Sequence, residues 1–196
     1  MIQKPAGYDE AQAMTGEYER LELGGHICVI KSCKVVTTAN GAQQLSIAFD
    51  IDESDTQKQG GFYTRQYESN KQRFDDAKWP NGGTTRVGID GKSVPFFKGF
   101  TTVIMESNPG YVWRWDETTL KGKRFGGIFG EEEYMAKDGT VKKATKLRFI
   151  RSIDVIKAGV EIPAVKTLSG TPAPAVAAPT NSYMQELDDS EELPFN

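Results

Sequence analysis

Apolar and polar residues alternate along the first third of the chain, which predicts paired strands. Segment 26–38 is β-branched and places Ile27, Val29, Cys33 and Val35 on one face, with Lys31 in the same register. Segment 43–52 alternates more regularly, and the Asn-Gly turn at 40–41 predicts that the two strands form a hairpin. A third strand is predicted over 62–67, after a Gly-Gly turn.

The middle and the last third of the folded region contain different patterns. Residues 68–94 are polar and Gly-rich, which predicts a loop, and apolar residues then recur at helical spacing over 95–107. A glycine-interrupted strand is predicted over 120–134, an Asp-Gly turn at 138–139 and a last strand over 145–152.

Three strands, one helix and two further strands predict a mainly β fold, a five-stranded barrel of the oligonucleotide-binding (OB) type with the helix between strands 3 and 4. An open sheet with one packed helix is the alternative. The predicted domain covers residues 25–157, after an N-terminal arm at 1–24 whose composition allows a short helix. An Ala/Pro-rich disordered linker is predicted for 158–185, followed by an acidic segment at 186–196.

The net charge of -3 conceals an uneven distribution along the 196 residues. Five acids lie within residues 186–192, whereas residues 121–151 carry nine bases and four acids. A chain with a basic segment and an acidic end is able to bind polyanions while its own end competes for the same site.

Several kinds of chemistry find no support in the sequence. A single histidine, His26, and two cysteines that alternation places on opposite faces, Cys28 and Cys33, do not make a zinc site. Gly-rich segments lack a phosphate-binding motif, and no apolar run reaches the ~20 residues that span a bilayer. We therefore predict no catalytic residue, no metal, no cofactor and no membrane association.

Binding chemistry remains, because a single nucleic-acid strand exposes phosphates and base faces together and is bound by cations and aromatic rings on one surface. Tyr63, Arg65 and Tyr67 share a face of the predicted third strand, and Lys, Arg and Trp residues cluster on the later elements. The candidate DNA-binding residues are Lys31, Tyr63, Arg65, Tyr67, Trp79, Trp113, Lys121, Lys123, Arg124, Lys142, Lys143, Lys146 and Arg148.

The acidic end carries the one resemblance to a known family. Asp188-Asp189 followed by Leu193-Pro194-Phe195 resembles the acidic tip of bacterial and phage single-stranded DNA-binding proteins, although Asn196 follows the Phe and Ser190 interrupts the acids. The resemblance implies binding of single-stranded DNA with little sequence preference, and recruitment of replication, recombination or repair proteins. The residues that would contact such partners are Asp188, Asp189, Glu191, Glu192, Leu193, Pro194 and Phe195.

The resemblance and the lack of a signal-peptide core after Met1 predict a cytoplasmic protein, in a bacterium or in the host of a phage. Two alternatives to DNA binding stay open. One is an adaptor that binds only proteins, and the other is a metal-dependent nuclease that uses Asp50 and Asp52. The sequence also leaves open whether the chain forms a homo-oligomer.

Overall fold

Five antiparallel strands in one sheet form the centre of the computed structural model, which describes residues 2–9 and 19–168. The sheet has the strand order β3-β2-β1-β4-β5, and three α-helices lie against it. In chain order the elements are β1 (Gly24–Thr37), β2 (Gln43–Ile51), α1 (Phe62–Lys71), β3 (Thr84–Gly88), α2 (Val94–Ser107), β4 (Arg124–Met135), β5 (Val141–Arg151) and α3 (Ile153–Ala158). The mainly β prediction is confirmed.

One face of the sheet, here called the inner face, packs on the hydrophobic core. Alternate residues of β2 point into it, and Phe49 contacts the rings of Phe125 and Phe129 at centroid distances of 5.6 and 6.2 Å. The opposite face of β1, β2 and β3, here called the outer face, carries mostly polar residues, which are half-buried or exposed except for the buried Asp50 at the end of β2. This division follows from the period of two along each strand.

A β-bulge in β1 changes the faces that simple alternation predicts. The register with β2 shifts between Ile30 and Ser32, so one extra residue separates the two halves of the strand. Cys28 and Cys33 therefore both lie on the inner face, opposite Ile51 and Ile47, and the prediction that they face opposite ways is wrong. Both are free thiols.

The predicted third strand over 62–67 is wrong, because these residues begin helix α1. The buried Asp50 carboxylate of β2 caps this helix, accepting hydrogen bonds from the backbone N–H groups of Tyr63 (2.8 Å) and Thr64 (3.1 Å) and from the Thr64 hydroxyl. A carboxylate at this position satisfies N–H groups that have no partner within the helix. The actual third strand is Thr84–Gly88, inside the predicted loop.

The five strands form an open sheet and not the closed barrel that was predicted. Among residues 19–168 no strand pairing joins β3 to β5. A cavity of about 560 Å³ lies between the turn that leads into β3 and the middle of β5, lined by Asn81 and Thr145 among others. Leu21 of the N-terminal arm lines the same cavity and is itself part of the core.

A buried contact between His26 and Asp55 connects β1 to the arm and to the loop after β2. The His26 ring is fully buried, with Nδ1 3.0 Å from Asp55 Oδ2 and Nε2 2.9 Å from the Glu22 carbonyl oxygen. The Gln57 side-chain nitrogen also lies 3.4 Å from His26 Nε2. Asp55 Oδ1 also accepts from the backbone N–H of Ile27 at 2.8 Å.

The described part of the arm makes further polar contacts with the protein. The Gln59 side chain bonds the backbone of Arg20 and Glu22, and Glu19 forms an ion pair with Arg65 at 2.8 Å. The helix that the composition of the arm allows falls largely on residues 10–18, which lie outside the described residues.

The helix over 95–107 is confirmed as α2, and the last two strands are confirmed as β4 and β5, of which β4 is shorter and β5 longer than predicted. Short helix α3 packs over Gly126, where a Cβ atom would lie 2.3 Å from Ile156 Cγ1. Glycine inside β4 therefore permits close approach of the helix.

The chain keeps contact with the sheet past the predicted boundary at residue 157. Pro163 lies against Gly130, and Lys166 forms a parallel bridge with Glu132. The rest of the predicted linker, from residue 169, and the acidic segment at 186–196 lie outside the described residues. Within the described ranges, no helix has the length and apolar character needed to cross a bilayer.

Candidate nucleic-acid interface

Two cationic side chains lie in one row across the strands on the outer face of the sheet. Lys34 of β1 lies opposite Ser46 of β2, which lies opposite Arg86 of β3, so the three residues form one transverse row. Neighbouring strands are about 4.8 Å apart, which places the Lys34 and Arg86 Cα atoms about 10 Å apart. Both side chains are exposed and form no ion pair within residues 19–168. We call Lys34, Ser46 and Arg86 the cationic row.

Small residues next to the cationic row leave its surface open. Ser32, Ala48 and Thr84 form the adjacent transverse row, and Lys31 lies beside it at the bulge. Lys31 is 47% exposed and its Nζ is 3.8 Å from Asp50 Oδ2, so Asp50 offsets part of its charge. A single strand lying across these rows would meet hydroxyl groups and cations without bulky side chains between them.

A second group of cations flanks β1 on its other side. Lys121, Lys123 and Arg124 lead into β4, and the backbone of Lys123 is bonded to Ile30 of β1 at 2.9 Å. Lys123 Nζ lies 4.5 Å from the centroid of the Tyr111 ring, a cation–π contact that holds the ammonium close to an aromatic face. Lys121 and Arg124 are exposed.

Two basic residues of the β4–β5 hairpin form ion pairs with acids of the same hairpin. The net charge of the segment does not reveal this pairing. Lys143 pairs with Glu131 at 3.2 Å, and Lys142 pairs with Asp138 at 3.3 Å. Lys146 and Arg148 are half-buried on β5, with the Arg148 side chain against Gly130. Over residues 125–151 there are six bases and four acids, so the hairpin has a smaller excess of positive charge than segment 121–151 as a whole.

The candidate aromatic residues are distributed over different environments. Tyr63 is 3% exposed and its ring packs edge-on against Phe49 at 5.7 Å, so it is inaccessible to a base; burial strongly raises the pKa of its hydroxyl. Tyr67 is half-buried and packs against Trp79 at 5.6 Å, and Trp79 Nε1 donates to the Gly83 carbonyl. The predicted common face of Tyr63, Arg65 and Tyr67 does not exist, because these residues are helical.

Arg65 is committed to contacts within the protein. Its Nη2 donates to both carboxylate oxygens of Glu19, at 2.8 and 3.0 Å, and its Nη1 donates to the Gly60 carbonyl. The guanidinium therefore holds the arm. Trp113 is half-buried in a different region, after α2.

No family model matches this chain, and no curated protein matches it either. The interpretation of the surface therefore depends on the geometry of the chain's own residues.

The residues of the nuclease alternative do not form a metal site. Asp50 is fully buried and its oxygens bind the start of α1, whereas Asp52 accepts hydrogen bonds from the Ser54 backbone and hydroxyl. In the parts of the chain that the structure describes, no group of three His, Cys, Asp or Glu side chains is placed to hold a metal ion.

Lys34 and Arg86 are the residues that the sequence analysis missed. Arg86 lies in a short β-branched run, Thr84-Thr85-Arg86-Val87, whose strand character the surrounding glycines conceal. Lys34 was visible as a residue facing away from Val35, but its neighbours across the sheet depend on the pairing with β2. The seven predicted partner-binding residues, Asp188 to Phe195, lie outside the described residues.

Proposed function

We propose that this chain binds single-stranded DNA with little sequence preference, as a protein of replication, recombination or repair. The observation that carries the proposal is the cationic row on an open, polar sheet face. Cations at this spacing suit the phosphates of one strand, and contacts with phosphates do not themselves select a sequence.

The architecture supports the proposal. OB domains are partly open five-stranded barrels that bind oligonucleotides on the face of strands 2 and 3. We propose that this sheet is such a barrel, opened between β3 and β5, because it has five strands and a long helix between the third and fourth. The cationic row then lies on the face where OB domains bind their ligands.

Removing both charges of the cationic row tests the function. The double substitution Lys34→Gln and Arg86→Gln is expected to weaken binding of an oligo-dT strand and to reduce the dependence of log K on log salt by about 1.4, since each phosphate contact on a single strand contributes about 0.7. Binding is measured by fluorescence anisotropy at several salt concentrations.

The matched control is Lys58→Gln with Lys157→Gln, which removes the same charge from exposed residues away from the cationic row. This control should keep the wild-type salt dependence. Equal effects of the two double variants would show that the cationic row has no special role. Absence of oligo-dT binding by the wild-type chain would exclude the proposed function and favour the protein-only adaptor.

We also propose that the acidic segment at 186–196 recruits partner proteins and competes with DNA. Deleting residues 187–196 should tighten oligo-dT binding at low salt, because it removes carboxylates that compete for cations, and the gain should fade at high salt. Leu193→Ala with Phe195→Ala keeps the charge and should leave DNA affinity unchanged. Unchanged or weaker binding after the deletion would contradict the competition.

A further inference from the structure

Three aromatic rings form a cluster between α2 and β4. Phe97, Trp113 and Trp115 each contact the other two, with centroid separations of 6.0, 6.3 and 6.4 Å. Phe97 and Trp113 also pack on the core, whereas Trp115 is 80% exposed. An indole so exposed is unusual, because tryptophan is a large apolar residue that is buried on average. We call these three residues the ring cluster.

The backbone holds Trp115 in its exposed position. Its φ of 64° is in the left-handed region, which is uncommon for residues other than glycine and costs free energy. The following residue, Asp116, fixes the next turn by accepting a hydrogen bond from the Thr118 backbone at 3.0 Å. The Trp115 indole therefore contacts two other rings and is followed directly by a turn that the Asp116 side chain caps.

Two exposed cations lie beside the ring cluster in sequence. Arg114 and Lys98 are exposed neighbours of the rings in sequence, and neither has an ion pair within residues 19–168. Of the nearby acids, the Asp116 carboxylate is engaged by Thr118, and Glu117 lies near the Cys33 thiol, whose pKa burial and this carboxylate raise to about 11.

Short steps along the chain link the cationic row to the ring cluster. Ser93, just before α2, covers Gly88, where a Cβ atom would lie 2.5 Å from the Ser93 hydroxyl oxygen. Gly88 is on the same face as Arg86 and about 7 Å further along β3. Phe97 lies about one helical turn after Ser93. A strand that leaves the cationic row at Arg86 would therefore reach the ring cluster within a few nucleotides.

We propose that the exposed indole of Trp115 is a stacking platform for an unpaired base, at the end of the DNA path that begins on the cationic row. This inference rests on the proposed function and specifies a residue for it. Base stacking needs a flat, accessible ring that is already ordered, and a stacked base contributes affinity whatever its identity. Trp113 and Phe97 position the indole and are not themselves required to contact the strand.

The test compares two labelled strands of about 20 nucleotides, oligo-dT and an abasic strand with the same number of phosphates. Trp115→Ala in the full chain should weaken oligo-dT binding about 5- to 150-fold, the range that one stacked base accounts for. The same substitution should leave binding of the abasic strand and the salt dependence unchanged. Trp115→Phe, which keeps a ring, should restore most of the affinity.

Phe74→Ala is the matched control, because it removes an exposed aromatic ring from the segment after α1. It should bind both strands as the wild type does. The stacking role is wrong if Trp115→Ala binds oligo-dT with wild-type affinity, or if its affinities for oligo-dT and for the abasic strand fall by the same factor. The proposed function stands in either case. If the wild type binds neither strand, the proposed function itself fails and this inference fails with it.

Discussion

Asp55→Ala is expected to lower the free energy of unfolding by about 4 kcal/mol, the largest loss that we expect from a single substitution. It leaves the fully buried His26 without its charged partner and removes the acceptor of the Ile27 backbone N–H. Each buried polar group left without its partner costs about 1–3 kcal/mol, and this substitution leaves two, the His26 ring and the Ile27 N–H. Urea unfolding followed by circular dichroism measures the difference.

The destabilisation caused by Asp55→Ala should become smaller at acidic pH. Burial raises the pKa of Asp55, but hydrogen bonds from His26, Ile27 and Gln57 outweigh burial and hold this pKa below its usual value. A carboxyl group whose pKa is lower in the folded state stabilises the fold above its unfolded pKa, about 3.9, and loses that contribution as the pH falls through the folded pKa. The difference in the free energy of unfolding between the wild type and Asp55→Ala should therefore decrease below about pH 4.

Asp75→Ala is the control for this substitution, because Asp75 is exposed and forms no hydrogen bond within the described residues. Its stability should match that of the wild type. A loss below about 1 kcal/mol in Asp55→Ala would mean that the buried pair contributes no more than an exposed one.

Asp50→Ala should cost about 3 kcal/mol and should destabilise α1 more than the rest of the sheet. The substitution leaves the backbone N–H groups of Tyr63 and Thr64 without an acceptor at a buried helix end. Loss of a cap costs about 0.5–2 kcal/mol, and a buried donor left without a partner costs about 1–3 kcal/mol. Hydrogen exchange should show faster exchange of the amides of α1 at native conditions.

Asp52→Ala provides the comparison, since Asp52 caps only the turn at Ser54, and its loss should be below about 1 kcal/mol. Equal losses of stability in the two variants would contradict the capping role of Asp50.

The structural role of Asp50 also affects how a test for nuclease activity is interpreted. A decrease in activity on replacing Asp50 would reflect a damaged helix and could not by itself identify a metal ligand.

The sequence predicted those elements whose periodicity is set by a large buried face. β2 is an example, because Leu45, Ile47, Phe49 and Ile51 alternate without interruption and all four are buried. α2 is another, because proline near its start and apolar residues at helical spacing both indicate a helix. The prediction of a closed barrel was wrong, since pairing between the edge strands depends on residues far apart in sequence and is not visible in local patterns.

The segment from Phe62 shows why local pattern failed. Its aromatic and polar residues alternate for a few positions, which is too short a run to separate a strand from the first turns of a helix. The deciding interaction comes from Asp50, on a different element.

The candidate interface was only partly predicted for a similar reason. Charge sums included Lys143 with the available cations, although Glu131 pairs with it across the hairpin.

The extra residue in β1 determines which side chains of its C-terminal half meet water. Cys28 and Ile30 face inwards, so an uninterrupted two-residue alternation would carry Lys34 into the interior and turn Cys33 and Val35 outwards. With the inserted position, the thiol and the valine face the core side and the ammonium faces solvent. A deletion of one residue near Lys31 would therefore both bury a charge and remove it from the path of a bound strand, so that folding and ligand affinity would be lost in a single step.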